Sequence, residues 1–434
     1  MARRAVRGSD AHMNVDEFAS LWSRPDDRPP SLTIANGRWF DGRGFDAVTM
    51  HTVDGRLSRR RPRTIDGVVD LAGMYVVPPF GEAHNHNLHS RDDGAEAIRR
   101  YLAAGVFYVL IANNLPTLAR GLRPMLNTPT SVDAVFAHGG LTASDGHPIA
   151  LYERLAEQAL LSGFTRSQLA DEAYYVIDSV DELVRKWPRI MSRTPDLIKT
   201  FLLFSEERDQ ALQHHVGLDP AILPEIVRMA HQAGLRVAVH VETAADFHYA
   251  VCAGVNLVAH LPGHSYRAGY EPATYEISPA DARCAGDRGV IVVTTGRLAR
   301  RIKDPDRVAR ALDVQRHNIR LLLSSGVRVV VGSDDYSDTS LGEANHLHAL
   351  DVLDNLALLR MWCCDTPRAI FPDRRIGELA DGYEASFLAL AGNPLDAWHH
   401  VTSIRLRVKQ GRLLNVARAR ASFAPTASRC KTTV

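Results

Sequence analysis

Cysteine is scarce in this chain, and what there is forms no pairing pattern. The 434 residues include five cysteines (Cys252, Cys284, Cys363, Cys364 and Cys430), an odd number with no Cys-x-x-Cys spacing. That argues against a disulfide scaffold and fits a reduced compartment. Adjacent Cys363 and Cys364 fall in a helical pattern and read as packing. An excess of charge is also missing: 51 Lys and Arg face 50 Asp and Glu, so nothing marks nucleic acid or an anionic membrane as a partner. No apolar run approaches the ~20 residues that span a bilayer. The basic start, Met1 to Arg7, lacks the apolar core of a signal peptide, and Gly8 to Met13 resembles a cloning scar. The expected location is cytoplasmic, or periplasmic or secreted had a natural leader been removed.

What is present is organised. Residues 1–30 are rich in Arg, Asp and Pro and read as an N-terminal extension. Short apolar pieces punctuated by Asn36-Gly37, Asp41-Gly42, Asp54-Gly55 and Asp66-Gly67 follow, which is hairpin chemistry. The same texture returns near the far end, around Phe387–Leu390 and Ile404–Val408. One discontinuous β-sandwich, built from 31–77 and 372–420, is expected, with 421–434 as a tail. Between them, over 78–371, short apolar strands alternate with amphipathic helices, the pattern of parallel βα units. Eight strands are predicted: Val76–Phe80, Phe107–Ala112, Asp133–Ala137, Asp196–Phe204, Leu235–Val241, Asn256–Leu261, Val290–Thr295 and Val327–Gly332. Helices are predicted between them, including one over Gly342–Trp362, and Leu141–Arg193 reads as an insertion. The fold class is α/β, a (β/α)8 barrel, of which about 250 residues is the usual size before insertions. A doubly wound sheet is the alternative, but it leaves the polar residues at the strand ends without a common purpose.

Those strand ends carry the chemistry. His84 and His86, spaced i, i+2, share one face of a strand end. Alone they are a weak signal, half of a metal site or two polar residues at a strand mouth. Lys199 interrupts the apolar run Asp196–Phe204, where a buried ammonium must pair or lose its charge. His240 and His260 end the fifth and sixth strands, and Asp334 follows the eighth. Polar residues at the carboxyl ends of barrel strands converge on one point.

With Val76-Val77-Pro78-Pro79-Phe80-Gly81-Glu82-Ala83-His84-Asn85-His86, Gly332-Ser333-Asp334 and the tail Thr366-Pro367-Arg368-Ala369-Ile370-Phe371, the chain resembles the amidohydrolase superfamily. The likeness runs over about residues 31 to 420 and is nearest the group of imidazolonepropionase-like proteins and Xaa-Pro dipeptidases. The resemblance implies two divalent metal ions, zinc by ligand type with manganese, iron or cobalt also compatible. His84, His86 and Asp334 would hold one, His240 and His260 the other, and a carboxylated Lys199 would bridge them. It further implies hydrolysis by a metal-bridging hydroxide, with Asp334 moving the proton. The bridging lysine argues against imidazolonepropionase activity.

The expected reaction is cleavage of an amide-type C–N bond in an N-acyl amino acid, dipeptide or cyclic amide. Lactone, carbamate or phosphotriester hydrolysis on the same metals is the alternative, followed by deamination or metal binding without turnover. Asn113, His138, His264, Tyr266 and His89 lie in loops at the expected mouth and are candidate substrate contacts, with His147, Tyr174 and Tyr175 of the insertion behind them. His346 and His348 fall on a helix, where i, i+2 residues do not share a face, and read as structural. The expected partner is a small-molecule substrate, with a homo-oligomer also compatible.

Overall fold

The computed structural model of the chain describes residues 12–13, 28–158, 161, 163–206 and 217–414. Most of the expected N-terminal extension, the C-terminal tail, His214, His215 and Cys430 lie outside the described residues. Nine strands form one hydrogen-bonded sheet drawn from both ends of the chain. In it, Tyr75–Val77 lies between Leu32–Phe40, which it pairs in parallel, and Phe387–Leu390, which it pairs antiparallel.

The expected strand Val76–Phe80 is in fact two. Tyr75–Val77 belongs to the terminal sheet, and the first barrel strand, β1, runs Phe80–Asn85. Pro78 and Pro79 stand between them. Neither has an N–H for a ladder, so the chain leaves one sheet there and enters the other. The other barrel strands are β2 (Val106–Ile111), β3 (Asp133–Phe136), β4 (Ile198–Phe201), β5 (Val237–His240), β6 (Leu257–Val258), β7 (Ile291–Val293) and β8 (Arg328–Val330). Parallel ladders join β1 to β3 and β4 to β8. Backbone bonds link the two runs: Asp196 N–H donates to Phe136 O (2.8 Å), Ala83 N–H to Val331 O (2.9 Å) and Asp334 N–H to His84 O (2.8 Å). The architecture is the (β/α)8 barrel of the sequence reading. β1, β2, β4 and β5 are buried along their whole length because helices cover the outer face and side chains fill the inner one.

Local chemistry sets the helix ends. Thr243 caps Ala244–Ala253 by accepting from Asp246 N–H, and Gly254, at φ 82°, ends it in the left-handed conformation that glycine adopts without strain. The predicted helix Gly342–Trp362 is divided. Ser340–Leu350 stops at Asp351 (φ 56°), and a new helix starts at Asn355, where Asp354 caps Ala357 N–H. Leu141–Arg193 is not wholly an insertion, since it contains the barrel helix Val180–Ser192. Ahead of that helix, Gly140–Thr142 prolongs the line of β3 and pairs with both β4 and the short strand Tyr174–Val176. Cys363 and Cys364 are buried free thiols with sulfurs 3.6 Å apart. His346 bonds Gln315 (2.9 Å), and His348 stacks on Trp398.

Gly332 shows how tightly β8 meets β1. A Cβ there would lie 2.4 Å from a Val293 methyl and 2.8 Å from the His84 nitrogen. Gly332→Ala is therefore expected to destabilise the protein by about 1–3 kcal/mol through overpacking. It should also displace His84, so the denaturation midpoint and metal content should fall together. A normal metal content at a lowered midpoint would separate the two effects and refute the link.

Candidate metal centre

The carboxyl ends of the strands open into a cavity of about 420 Å³, within the size range of small-molecule sites. His84, His86, Lys199, His240, His260 and Asp334 all line it. His84 and His86 turn their Nε2 atoms to within 3.2 Å of each other. Asp334 Oδ1 lies 3.0 Å from His86 Nε2 and 3.5 Å from His84 Nε2. His260 fills the space between, with its ring centre 4.5 Å from that of His84 and 4.2 Å from that of His240.

The protein fixes these rings from behind. His84 Nδ1 meets the Ala259 carbonyl (2.8 Å), His86 Nδ1 the Asn113 carbonyl (3.1 Å) and His260 Nδ1 the Thr295 hydroxyl (2.9 Å). At His84 and His86 a carbonyl accepts from Nδ1–H, so the lone pair sits on Nε2 and faces inward. That is how metal-binding imidazoles are oriented. Two groups of side chains bring their ligand atoms within 4.8 Å of one another, His84 with His260 and Asp334, and His240 with His260 and His264. This donor set suits a divalent cation.

Asp334 is held in the left-handed region at φ 48°, as is Thr295 at φ 49°. A non-glycine residue there costs roughly 1–3 kcal/mol, strain that gathers where function needs a fixed side chain. Behind β1, buried Glu82 accepts from Ser333 N–H and Oγ–H (both 2.8 Å) and from Asn85 Nδ2 (3.2 Å), tying the strand of His84 to the loop of Asp334. Burial raises the Glu82 carboxyl to about 8 against these bonds.

Lys199 is the anomaly. Its side chain is 1 % exposed and its Nζ has no hydrogen-bond partner. Burial lowers the amine to about 7, with Asp334 opposing. Burial also raises the carboxyl of Asp334, but His84 and His86 outweigh it and hold the group well below the usual carboxylate range.

The expected substrate contacts divide. Asn113 and His264 line the cavity. His138 does not; Asn114 Oδ1 (3.0 Å) and Arg123 (3.2 Å) hold it elsewhere. Tyr266 packs on Tyr275 and donates to the Tyr270 carbonyl (3.0 Å), away from the cavity. His89 stacks on Tyr336 and faces a neighbouring cavity of about 370 Å³. Sequence reasoning passed over Glu242, Tyr152, Arg301 and Tyr336, which do line the site. Only Glu242, at i+2 from His240, carried a signal in its spacing.

Residues 208–414 match the amidohydrolase family. No curated protein matches the sequence. Among solved structures, ochratoxinase of A. niger is similar at 16% identity and TM-score 0.70, over 89% of this chain and 96% of that one. A prolidase complexed with N-methylphosphonate-L-proline is similar at 18% identity and TM-score 0.67, over 89% and 99%. A Xaa-Pro dipeptidase with bound methionine is similar at 15% and 0.68, over 89% and 100%. The C-terminal part of the chain thus matches the amidohydrolase family, and the chain as a whole shares the fold of these hydrolase structures. The family match includes His240, His260 and Asp334, while His84, His86 and Lys199 join them through the fold. Among the described residues no helix is long and apolar enough to cross a membrane.

Proposed function

We propose that the protein hydrolyses an amide-type C–N bond in a small molecule bearing a carboxylate, such as an N-acyl amino acid or dipeptide. The observation that carries this reading is the buried, unpartnered amine of Lys199 within a ring of inward-facing imidazoles. A free amine adds CO2, giving a carbamate and releasing one proton. That product would be an anion among donors suited to two cations. His84, His86 and Asp334 would hold one cation, and His240 and His260 the other, with carboxylated Lys199 between them. Bound there, divalent cations supply Lewis acidity to a scissile carbonyl and to water.

The chain's own residues do the rest. Asp334, held ionised, is the base that accepts the proton of the attacking water and returns it to the leaving nitrogen. Tyr152 presents a buried hydroxyl to the cavity, where it can donate to a substrate oxygen. Leu151, Leu298 and Ile302 form an apolar wall for a side group, and Arg301, bonded to Asp335 at 3.0 Å, sets a guanidinium at the rim. Arginine matches a carboxylate in shape and charge.

A panel of N-acyl amino acids, dipeptides, cyclic amides and lactones, assayed with zinc or manganese by mass of the products, tests the reading. Addition of one water to give an acid and an amine is expected. Turnover confined to lactones, or release of ammonia alone, would overturn it. Arg301→Gln is expected to raise KM about ten- to a hundred-fold for substrates with a free carboxylate, and to leave their amidated counterparts unchanged. Equal effects on both would remove Arg301 from recognition.

A further inference from the structure

We propose that His264 and Glu242 complete the cation site of His240 and His260, so that three imidazoles and a protein carboxylate hold one metal. The inference rests on the metal-dependent reading above and goes beyond it, because the superfamily resemblance implies only His240, His260 and carboxylated Lys199 at this position.

His264 lies in the loop after β6, four residues past His260, and is 4 % exposed. Its Nδ1 donates to the Leu261 carbonyl (3.3 Å), which leaves the lone pair on Nε2, the arrangement that also orients His84 and His86. The ring stacks on His260 with centres 4.4 Å apart, and stands edge-on to His240 at 5.7 Å. The ligand atoms of all three histidines lie within 4.8 Å of one another. Glu242 closes the group: its Oε1 is 3.3 Å from His240 Nε2 and 3.9 Å from His264 Nε2. Its Oε2 is buried with no partner. A purely structural cluster would not leave a carboxylate oxygen buried and bare, since that costs free energy unless a donor or cation meets it. Imidazole and carboxylate together form a common set for zinc or another first-row divalent ion.

The test reads metal directly. Wild-type protein, His264→Ala, His264→Gln and Glu242→Gln are loaded with cobalt or zinc, exposed to dipicolinate for timed intervals, and assayed for metal by plasma mass spectrometry. Far-UV circular dichroism identifies the variants that keep the fold. The wild type is expected to hold about two metals. Both His264 variants should release one of them at least about ten-fold faster, with a changed visible spectrum of the cobalt form. Glu242→Gln should accelerate the same release. Unchanged release and an unchanged cobalt spectrum in folded His264→Gln would overturn the proposal, as would a variant that keeps both metals and only raises KM, which would make His264 a substrate contact. If no amide is hydrolysed while metal release follows the prediction, the proposed reaction fails and this site stands.

Discussion

Lys199→Ala is expected to lose both bound metals and at least about 10³-fold in kcat/KM. The lysine sits on β4 with Thr200 and Phe201, at a point where the barrel has no carboxylate to spare for a bridge. Asp334 is engaged with His84 and His86, and Glu242 with His240. Removing the side chain therefore takes away the one group that can become an anion between the two cation sites, and only the carboxylates of Asp334 and Glu242 are left to offset four units of cationic charge. Metal analysis and steady-state kinetics check the two losses together. Because the carbamate is a carboxylate in charge and shape, short carboxylic acids such as acetate or propionate should partly restore both metal and turnover. Full activity and full metal content in Lys199→Ala would refute the two-metal reading. Loss without any restoration by acid would point to packing instead.

Lys409→Ala is expected to give the largest loss of stability, about 3–5 kcal/mol, without touching the metal centre. Lys409 is fully buried at the junction of the terminal sheet and the barrel, where its ammonium donates to Asp133 Oδ1 (2.6 Å) and to the carbonyls of Thr128 (2.7 Å) and Ser131 (2.6 Å). Arg374 meets the other oxygen of Asp133 at 2.8 Å and Glu384 at 2.6 Å. Alanine would leave the buried Ser131 carbonyl without this donor and the buried Asp133 carboxylate with half its side-chain partners. The urea midpoint of the metal-loaded protein should fall sharply, while activity of the folded fraction is kept. A shift under about 1 kcal/mol, the usual worth of an exposed pair, would show that the network is dispensable.

The two lysines show what could be read in the sequence. Lys199 was legible because it breaks an apolar strand, and His84, His86, His240, His260 and Asp334 were legible because each ends one. Period and strand polarity are local properties, so they survive in a linear text. Lys409 is equally buried, yet it lies near the end of Ile404–Lys409 beside polar residues, and nothing local distinguished it from a surface lysine. Likewise, Pro78 and Pro79 sit in an apolar run that looks continuous in the sequence, yet their missing N–H groups part the two sheets.

The sequence by itself determined the alternation of strands and helices, the eightfold repeat and the polar residues that stand at the strand ends, because these follow from side-chain period and backbone hydrogen bonding within a few residues. Tertiary structure alone decided which loop residues face the cavity. It turned His138 toward Asn114 and Tyr266 into its own aromatic cluster, and it brought Glu242, Tyr152, Arg301 and His264 to the cavity of the candidate metal centre. Loop paths depend on long-range packing and on single φ values such as those of Thr295 and Asp334, and neither leaves a periodic trace in the chain.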